Sequence, residues 1–461
     1  MEFLSLTRDV EIGANSYLLT LGGQRIILDS GMHPKKAGLE STPNFQLLGE
    51  LPVDAIILTH AHQDHIGSLP FLTRMHQQAP VLMTEETYEI GEIMLHNSVN
   101  VMKRQRESLK LDDYPLFTHR GVDYCQENWI RVKRRKRYDL EGYLLAESAW
   151  SDKETSVEFY DAGHILGSAG VLLRHEGQTL FYTGDVHFEG QTIMQPADFP
   201  TEGVDVLVME TTRGDTPTPD GFTRKSEADR LMQSILAAFE RGASVTIPVF
   251  ALGKTQELLG MILEYRQRGE LPDFPIYIGG LSTKIAQVYD ATAETARRNL
   301  SGISLLENIV PSVASGRDID TLKPKAGTLY ALSSGMLTEN TLSNIFVRHI
   351  LEDENQALFF VGYSDPESPA GRLRATPQGG KVSLDERLGE LERRCEIQEF
   401  TFSAHARRER LLEYAVKLHP KTILLVHGDT PAIKWFRKEL EKQLPDTKIL
   451  TPEPGRSITL S

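Results

Sequence analysis

The chain has 461 residues, 40% of them hydrophobic and 25% charged. That is too long for one ordinary core, at about 100–200 residues per domain, and its balance excludes a disordered or fibrous protein. The net charge of −14 disfavours nucleic-acid binding over the whole surface but permits a local basic groove, while two cysteines, Cys125 and Cys395, exclude a disulfide framework or a cysteine zinc knuckle.

Taken in chain order, the opening MEFLSLTRDVEIG carries acidic residues and no long apolar run, so it does not read as a signal peptide. No later run reaches the ~20 apolar residues of a membrane span. A cytoplasmic protein without membrane association is expected. Strand patterns at 15–21 and 24–29 flank Gly22-Gly23, a hairpin signal, and 55–58 forms a third. Residues 82–118 read as helix, rich in Glu, Met, Leu and Lys. The segment 131–137 (RVKRRKR) holds six positive charges. Such a run either tracks a nucleic-acid backbone or forms a solvated face.

Strand patterns resume at 156–160, 170–174 and 179–183. From about residue 205 the texture changes. Buried-strand runs at 205–209, 244–249, 275–278, 328–332 and 357–361 alternate with helical patterns at 224–241, after Gly253, and at 341–352. That alternation predicts an α/β unit on a parallel sheet. The last part repeats it, with helix at 407–418, strand at 422–426 and helix at 431–443.

The informative stretch is Leu58–Gly67, LTHAHQDHIG, directly after the third strand pattern. It crowds His60, His62, Asp64 and His65 into six residues. Imidazole and carboxylate are natural ligands for zinc and similar divalent ions, and so many hydrophilic groups are costly to crowd together unless something binds them. Two ions need further ligands. Asp161-Ala-Gly-His164, Thr183-Gly-Asp185 and Val426-His427-Gly-Asp429 each lie after a strand pattern and offer them. Each loop alone is weak evidence.

The ordered set is similar to the metallo-β-lactamase fold, and more closely to the β-CASP nucleases. It comprises Asp29 in LDSG, HAHQDH at 60–65, His164 in DAGHILGSAG, Asp185 in TGD, a long α/β insert, His405 in FSAHA and His427 in VHGD. The insert carries Glu210 in METTRGD, Lys254 in PVFALGKTQEL, and Gly335 in SSGM. The resemblance implies an αββα sandwich over 1–205 and 395–461, interrupted at 206–394 by an α/β β-CASP domain with a parallel sheet and flanking helices. The chain resembles the compact RNA-processing members, of the kind found as the endonuclease subunit of the cleavage and polyadenylation factor. No extra RNA-binding domain is expected before Asp29 or after His427.

By this resemblance His60, His62 and His164 hold one zinc, Asp64, His65 and His427 the other, and Asp185 bridges them. Manganese suits the same ligands. The ions would activate a hydroxide for attack on a phosphodiester, with Asp64, Asp185, Glu210 and His405 as the catalytic set. Asp29 would orient a ligand histidine rather than touch metal; a plain strand-end aspartate is the alternative. His405 would protonate the leaving oxygen, held by Glu210. Otherwise His405 belongs to a helix start capped by Ser403. Ser333, Ser334, Gly335, Lys254 and Arg407 are candidate substrate contacts, although the Ser333–Gly335 segment reads equally as a simple turn. Family members often carry an acid where Arg407 stands.

The expected function is a zinc-dependent ribonuclease acting on single-stranded RNA, endonucleolytic, with 5′-to-3′ exonucleolytic action as a further option. Within the family a histidine at the position of His427 accompanies RNA-processing members. A DNA nuclease and a small-ester or thioester hydrolase are the alternatives; the long insert argues against the second, since small substrates need no such cover. An inactive subunit would lack ligands. Partners are either a second copy of the chain or a processing complex.

Overall fold

The computed structural model describes residues 1–146, 151 and 153–460. Two units make up the chain: 1–190 with 194–218 and 405–461, and 219–404 with 191–193.

The first unit stacks two seven-stranded sheets. One runs, edge to edge, Ser457–Thr459, Glu2–Ser5, Tyr17–Leu21, Gln24–Leu28, Ala55–Ile57, Val81–Thr84 and Trp129–Val132. The other runs Lys448–Leu450, Thr422–Val426, Val206–Glu210, Gln178–Tyr182, Ala169–His175, Ser156–Asp161 and Arg137–Tyr138. The two-residue side-chain period decides what each strand buries. Ile26 and Leu28 enter the layer between the sheets, with Phe159, Val171 and Val208, while Ile27 faces Leu69, Leu95 and Val99 of the flanking helices. In the second sheet Val206 and Val208 face inward, whereas Leu207 and Met209 pack with Leu411, Phe436 and Leu440 of the helices on the far side. This is an αββα sandwich. Each such side chain contributes roughly 1.5–3 kcal/mol of transfer free energy.

The texture change near residue 205 marks Val206–Glu210, which belongs to the sandwich: it pairs in parallel with Gln178–Tyr182 on one side and Thr422–Val426 on the other. The 82–118 stretch is only partly helical. Val81–Thr84 is a buried strand, parallel to Ala55–Ile57 and Trp129–Val132. Its three apolar residues satisfy a buried strand as well as a helix start, so composition did not separate the two. Thr84 then caps the helix Glu85–Leu109 through the Thr87 amide, and Lys110 ends it with a positive φ of 55°.

The second unit is a six-stranded sheet in the order Ser312–Ala314, Ile276–Gly279, Leu329–Leu332, Val245–Pro248, Ala357–Phe360 and Glu396–Glu399, every pairing parallel. Helices cross between the strands, as parallel connection demands. Among them Arg224–Glu240 starts on a Thr223–Ser226 capping box. No helix among the described residues is long and apolar enough to cross a membrane.

Candidate metal centre

Carboxyl ends of strands in the first unit supply the site. Ala55–Ile57 leads into the His60–His65 loop, Ser156–Asp161 into His164, Gln178–Tyr182 into Asp185, and Thr422–Val426 into His427; Glu210 is the last residue of its own strand. The loop needs Gly31 beside it. A Cβ there would lie 1.8 Å from the Asp64 carbonyl oxygen, so LDSG can carry only glycine at that close approach.

The donors gather in two sets. His60, His62, His164 and Asp185 offer atoms all within 4.8 Å of one another, as do Asp64, His65 and His427. His62 Nδ1 lies 3.1 Å from His60 Nε2 and 3.0 Å from His164 Nε2. Asp185 turns one oxygen to each set. Its Oδ2 is 3.4 Å from His60 Nε2 and 3.6 Å from His164 Nε2, and its Oδ1 is 3.4 Å from His65 Nε2 and 2.9 Å from His427 Nδ1. Asp64 Oδ2 completes the second set, 3.2 Å from His427 Nε2 and 3.8 Å from His65 Nε2.

These residues fit divalent cations. Zinc–nitrogen bonds of about 2.0–2.1 Å put tetrahedral ligands about 3.3 Å apart, close to the observed spacing. Asp185 Oδ1 is buried and has no well-directed hydrogen bond, only histidine nitrogens at 2.9 and 3.4 Å, so it is an oxygen that a cation would satisfy. In the first set the protonation pattern suits a cation. Burial and the neighbouring His60 push His62 down to about 3, and burial with His405 holds His164 well below the usual range, so both are neutral. Burial also disfavours the charged form of His65, but Asp185, Asp29 and Asp64 outweigh it and raise the pKa. His427 is likewise lifted, against burial, to about 10 by Asp185 and Asp64. Burial would raise Asp185, yet His427, His65 and His405 hold it well below the ordinary carboxylate range.

Behind the donors stands a buried polar layer. Asp29, with φ 61°, accepts from the Thr59 amide at 2.8 Å and the Tyr182 hydroxyl at 2.8 Å, and sits 2.7 Å from His65 Nδ1. Thr59 Oγ1 lies 3.0 Å from His60 Nδ1, and Thr212 Oγ1 lies 3.1 Å from His427 Nδ1. Thr59, Tyr182 and Thr212 escaped sequence reasoning: ordinary residues of a strand and two loops carry no signature, and only adjacency to His60 or to the TGD and METTRGD stretches pointed at them.

His405 stands beside the first set. Its Nδ1 is 3.2 and 3.3 Å from the two Glu210 oxygens and 3.9 Å from Asp185 Oδ2, and its ring centroid is 4.6 Å from that of His164. Glu210 is fixed in turn by the Val186 amide at 2.7 Å. Burial lowers the His405 pKa, but Glu210 and Asp185 overcome it and the net shift is upward. The following helix is Arg408–Leu418 with Arg407 at its cap, so Ser403 caps nothing there.

Of the candidate substrate contacts, Arg407 is in the first unit and pairs with Glu189 at 2.9 Å. Ser333, Ser334, Gly335 and Lys254 belong to the second unit. Ser334 Oγ accepts from the Thr338 amide at 3.0 Å, Ser343 bonds the backbone of both serines, and Lys254 Nζ donates to the Phe402 carbonyl. In the basic segment Arg131 pairs with Glu89, Arg134 with Glu86 and Arg135 with Asp198.

Three family models match in succession: the metallo-beta-lactamase superfamily over residues 10–233, the Beta-Casp domain over 255–373, and the Zn-dependent metallo-hydrolase RNA specificity domain over 390–452. Similar curated proteins include the endoribonuclease YSH1 of Eremothecium gossypii, 27% identical over 93% of this chain and 55% of that protein. YSH1 of Saccharomyces cerevisiae is 27% identical over 93% and 54%. Cleavage and polyadenylation specificity factor subunit 3 of Dictyostelium discoideum is 26% identical over 100% and 57%. The chain thus spans about half the length of the curated relatives it matches. A solved protein of unknown function from Enterococcus faecalis shares the fold, with a TM-score of 0.56 at 14% identity over 100% of both chains. The chain belongs to the Beta-Casp branch of the metallo-beta-lactamase superfamily.

Proposed function

We propose that this chain is a zinc-dependent endoribonuclease. The observation that carries the reading is Asp185, turned with one oxygen to each donor set, beside a histidine held by its own carboxylate. The endoribonuclease names of the relatives and the RNA-specificity match support RNA over DNA. His60, His62 and His164 would hold one zinc, Asp64, His65 and His427 the second, and Asp185 both. When bound, the ions supply an activated water and offset the charge of a phosphodiester.

The chain's own residues do the rest. Asp29 fixes the His65 ring, so that Nε2 stays aimed at the second set. Glu210 favours the imidazolium of His405, which then has a proton to give to the leaving 3′ oxygen. Glu210 is almost wholly buried, whereas 23% of the His405 side chain is exposed, so the acid keeps an open edge while its partner does not. Ser333, Ser334, Gly335, Lys254 and Arg407 are proposed to contact the substrate. The name of the Dictyostelium relative supports a place as a subunit of an RNA-processing complex, and the two buried free cysteines suit a reducing, cytoplasmic setting.

The test is cleavage of matched single-stranded RNA and DNA oligonucleotides, labelled at either end, by zinc-loaded protein. Internal cuts in RNA alone are expected. Cutting of DNA alone, or of neither polymer, overturns the reading.

A further inference from the structure

Four arginines cluster in the first unit near His405, and three are matched by acids. Arg407 meets Glu189 at 2.9 Å, Arg408 meets Glu409 at 3.1 Å, and Arg410 meets Glu413 at 2.7 Å and Glu189 at 3.7 Å. Arg213 differs. Among the described residues, no carboxylate, carbonyl or hydroxyl forms a hydrogen bond or ion pair with its half-buried guanidinium. An arginine that is partly withdrawn from water and unpaired costs free energy unless an anion joins it.

The turn that carries Arg213 is tied to the metal centre. Thr211 donates from its amide to the His427 carbonyl at 3.1 Å and from its hydroxyl to the Val426 carbonyl at 2.9 Å. Thr212 reaches His427 Nδ1. The Gly214 amide closes the turn onto the Thr211 carbonyl at 3.0 Å, and Arg408 donates to the Gly214 carbonyl at 3.2 Å. A Cβ on Gly214 would come within 2.4 Å of the Ala432 carbonyl oxygen, so this backbone has no room to shift. Arg213 therefore projects from a rigid turn, three residues after Glu210. The charges that act on it include Glu210 as well as Arg407, Glu409 and Glu189. Glu189 and Glu409 are already engaged by other arginines.

We propose that Arg213 is a phosphate clamp, its guanidinium gripping the non-bridging oxygens of a phosphodiester brought to the metal centre. The proposal rests on the nuclease reading. Its chemistry follows from the neighbourhood: Glu210 acts on Arg213 without pairing with it and repels a polyanion, and among the described residues no protein anion claims the Arg213 guanidinium. A planar two-pronged donor matches two phosphate oxygens, which a lysine ammonium does not.

The experiment uses the full zinc-loaded chain carrying His405→Ala, so that RNA stays uncut. Affinity for a 5′-labelled 12-nucleotide RNA is measured by fluorescence anisotropy between 50 and 200 mM salt, with Arg213 intact, Arg213→Gln and Arg213→Lys. Arg213→Gln is expected to weaken binding about ten-fold at unchanged zinc content, and to reduce the slope of log affinity against log salt by about 0.7, one phosphate contact on a single strand. Arg213→Lys restores the slope and only part of the affinity. Unchanged affinity and slope in Arg213→Gln overturn the clamp. If Arg213→Gln fails to fold, as circular dichroism and zinc content reveal, Arg213→Lys decides: full wild-type affinity overturns it. Cleavage of the same RNA by wild type tests the nuclease reading separately. If wild type cuts nothing, inorganic phosphate titrated calorimetrically into zinc-loaded wild type and Arg213→Gln still judges the clamp, and equal affinities overturn it.

Discussion

His405 presents one ring nitrogen to both oxygens of Glu210, at 3.2 and 3.3 Å. The pair sets the protonation of His405. Its raised pKa means that the charged form persists to higher pH than in a free histidine, and activity needing that proton is lost as pH rises through the raised value. Glu210→Gln removes the largest upward influence, so the falling alkaline limb of the cleavage profile should move to lower pH. An unmoved limb would separate His405 from the leaving-group proton.

His405→Ala should leave zinc content intact, since the ring belongs to neither donor set. Cleavage should fall about 10²–10⁴-fold, the ordinary worth of a general acid. Metal analysis and single-turnover rates on one preparation check both halves.

Asp185→Asn should be the most damaging ligand change. It weakens both sets at once, because each relies on a different oxygen of the same carboxylate. Zinc stoichiometry should fall at both sites, and the remaining protein should melt near the temperature reached by wild type after chelation. Retention of one full equivalent of zinc would argue against sharing.

Asp29→Asn and Tyr182→Phe act from behind the ligands. Losing the carboxylate charge beside His65 should weaken zinc binding about 10–100-fold, and losing the Tyr182 hydroxyl bond should have a smaller effect in the same direction. Competition with a chromogenic chelator gives the ranking.

Gly31→Ala sets a side chain against the Asp64 carbonyl. The backbone must move, at a cost of about 1–3 kcal/mol or more, and the loop carrying His62 and Asp64 moves with it. Denaturant unfolding and zinc affinity should therefore both decline. Gly23→Ala, at an uncrowded turn with positive φ, should cost stability alone.

The clustering of the candidate donors was legible in the sequence because their chemistry is local: six residues hold four donors, and each remaining donor follows a strand. The helices after Thr223 and Gly253 were legible for a related reason, since a cap and an apolar period coincide. Val81–Thr84 was not, because a short buried strand and the start of a helix share one composition. Nor could the basic segment be judged. Its partners Glu86, Glu89 and Asp198 lie 40 or more residues away in the chain, and only folding shows Arg131, Arg134 and Arg135 already neutralised. Arg213 stayed hidden inside METTRGD for the opposite reason: what distinguishes it is a missing partner, and sequence does not record absences.

The sandwich is assembled from both ends of an interrupted chain. Val206–Glu210 needs Thr422–Val426 as its neighbour, and His427 is reached only after the insert has been made. A ribosome adding about 5–20 residues per second takes on the order of 10–50 s to go from Asp185 to His427. Throughout that interval the nascent chain has every donor of the first set but lacks His427 of the second and, until residue 405, the histidine that Glu210 holds. The donor cluster is thus incomplete while it emerges beside ribosomal and messenger RNA, and it can close only once nearly all of the fold exists.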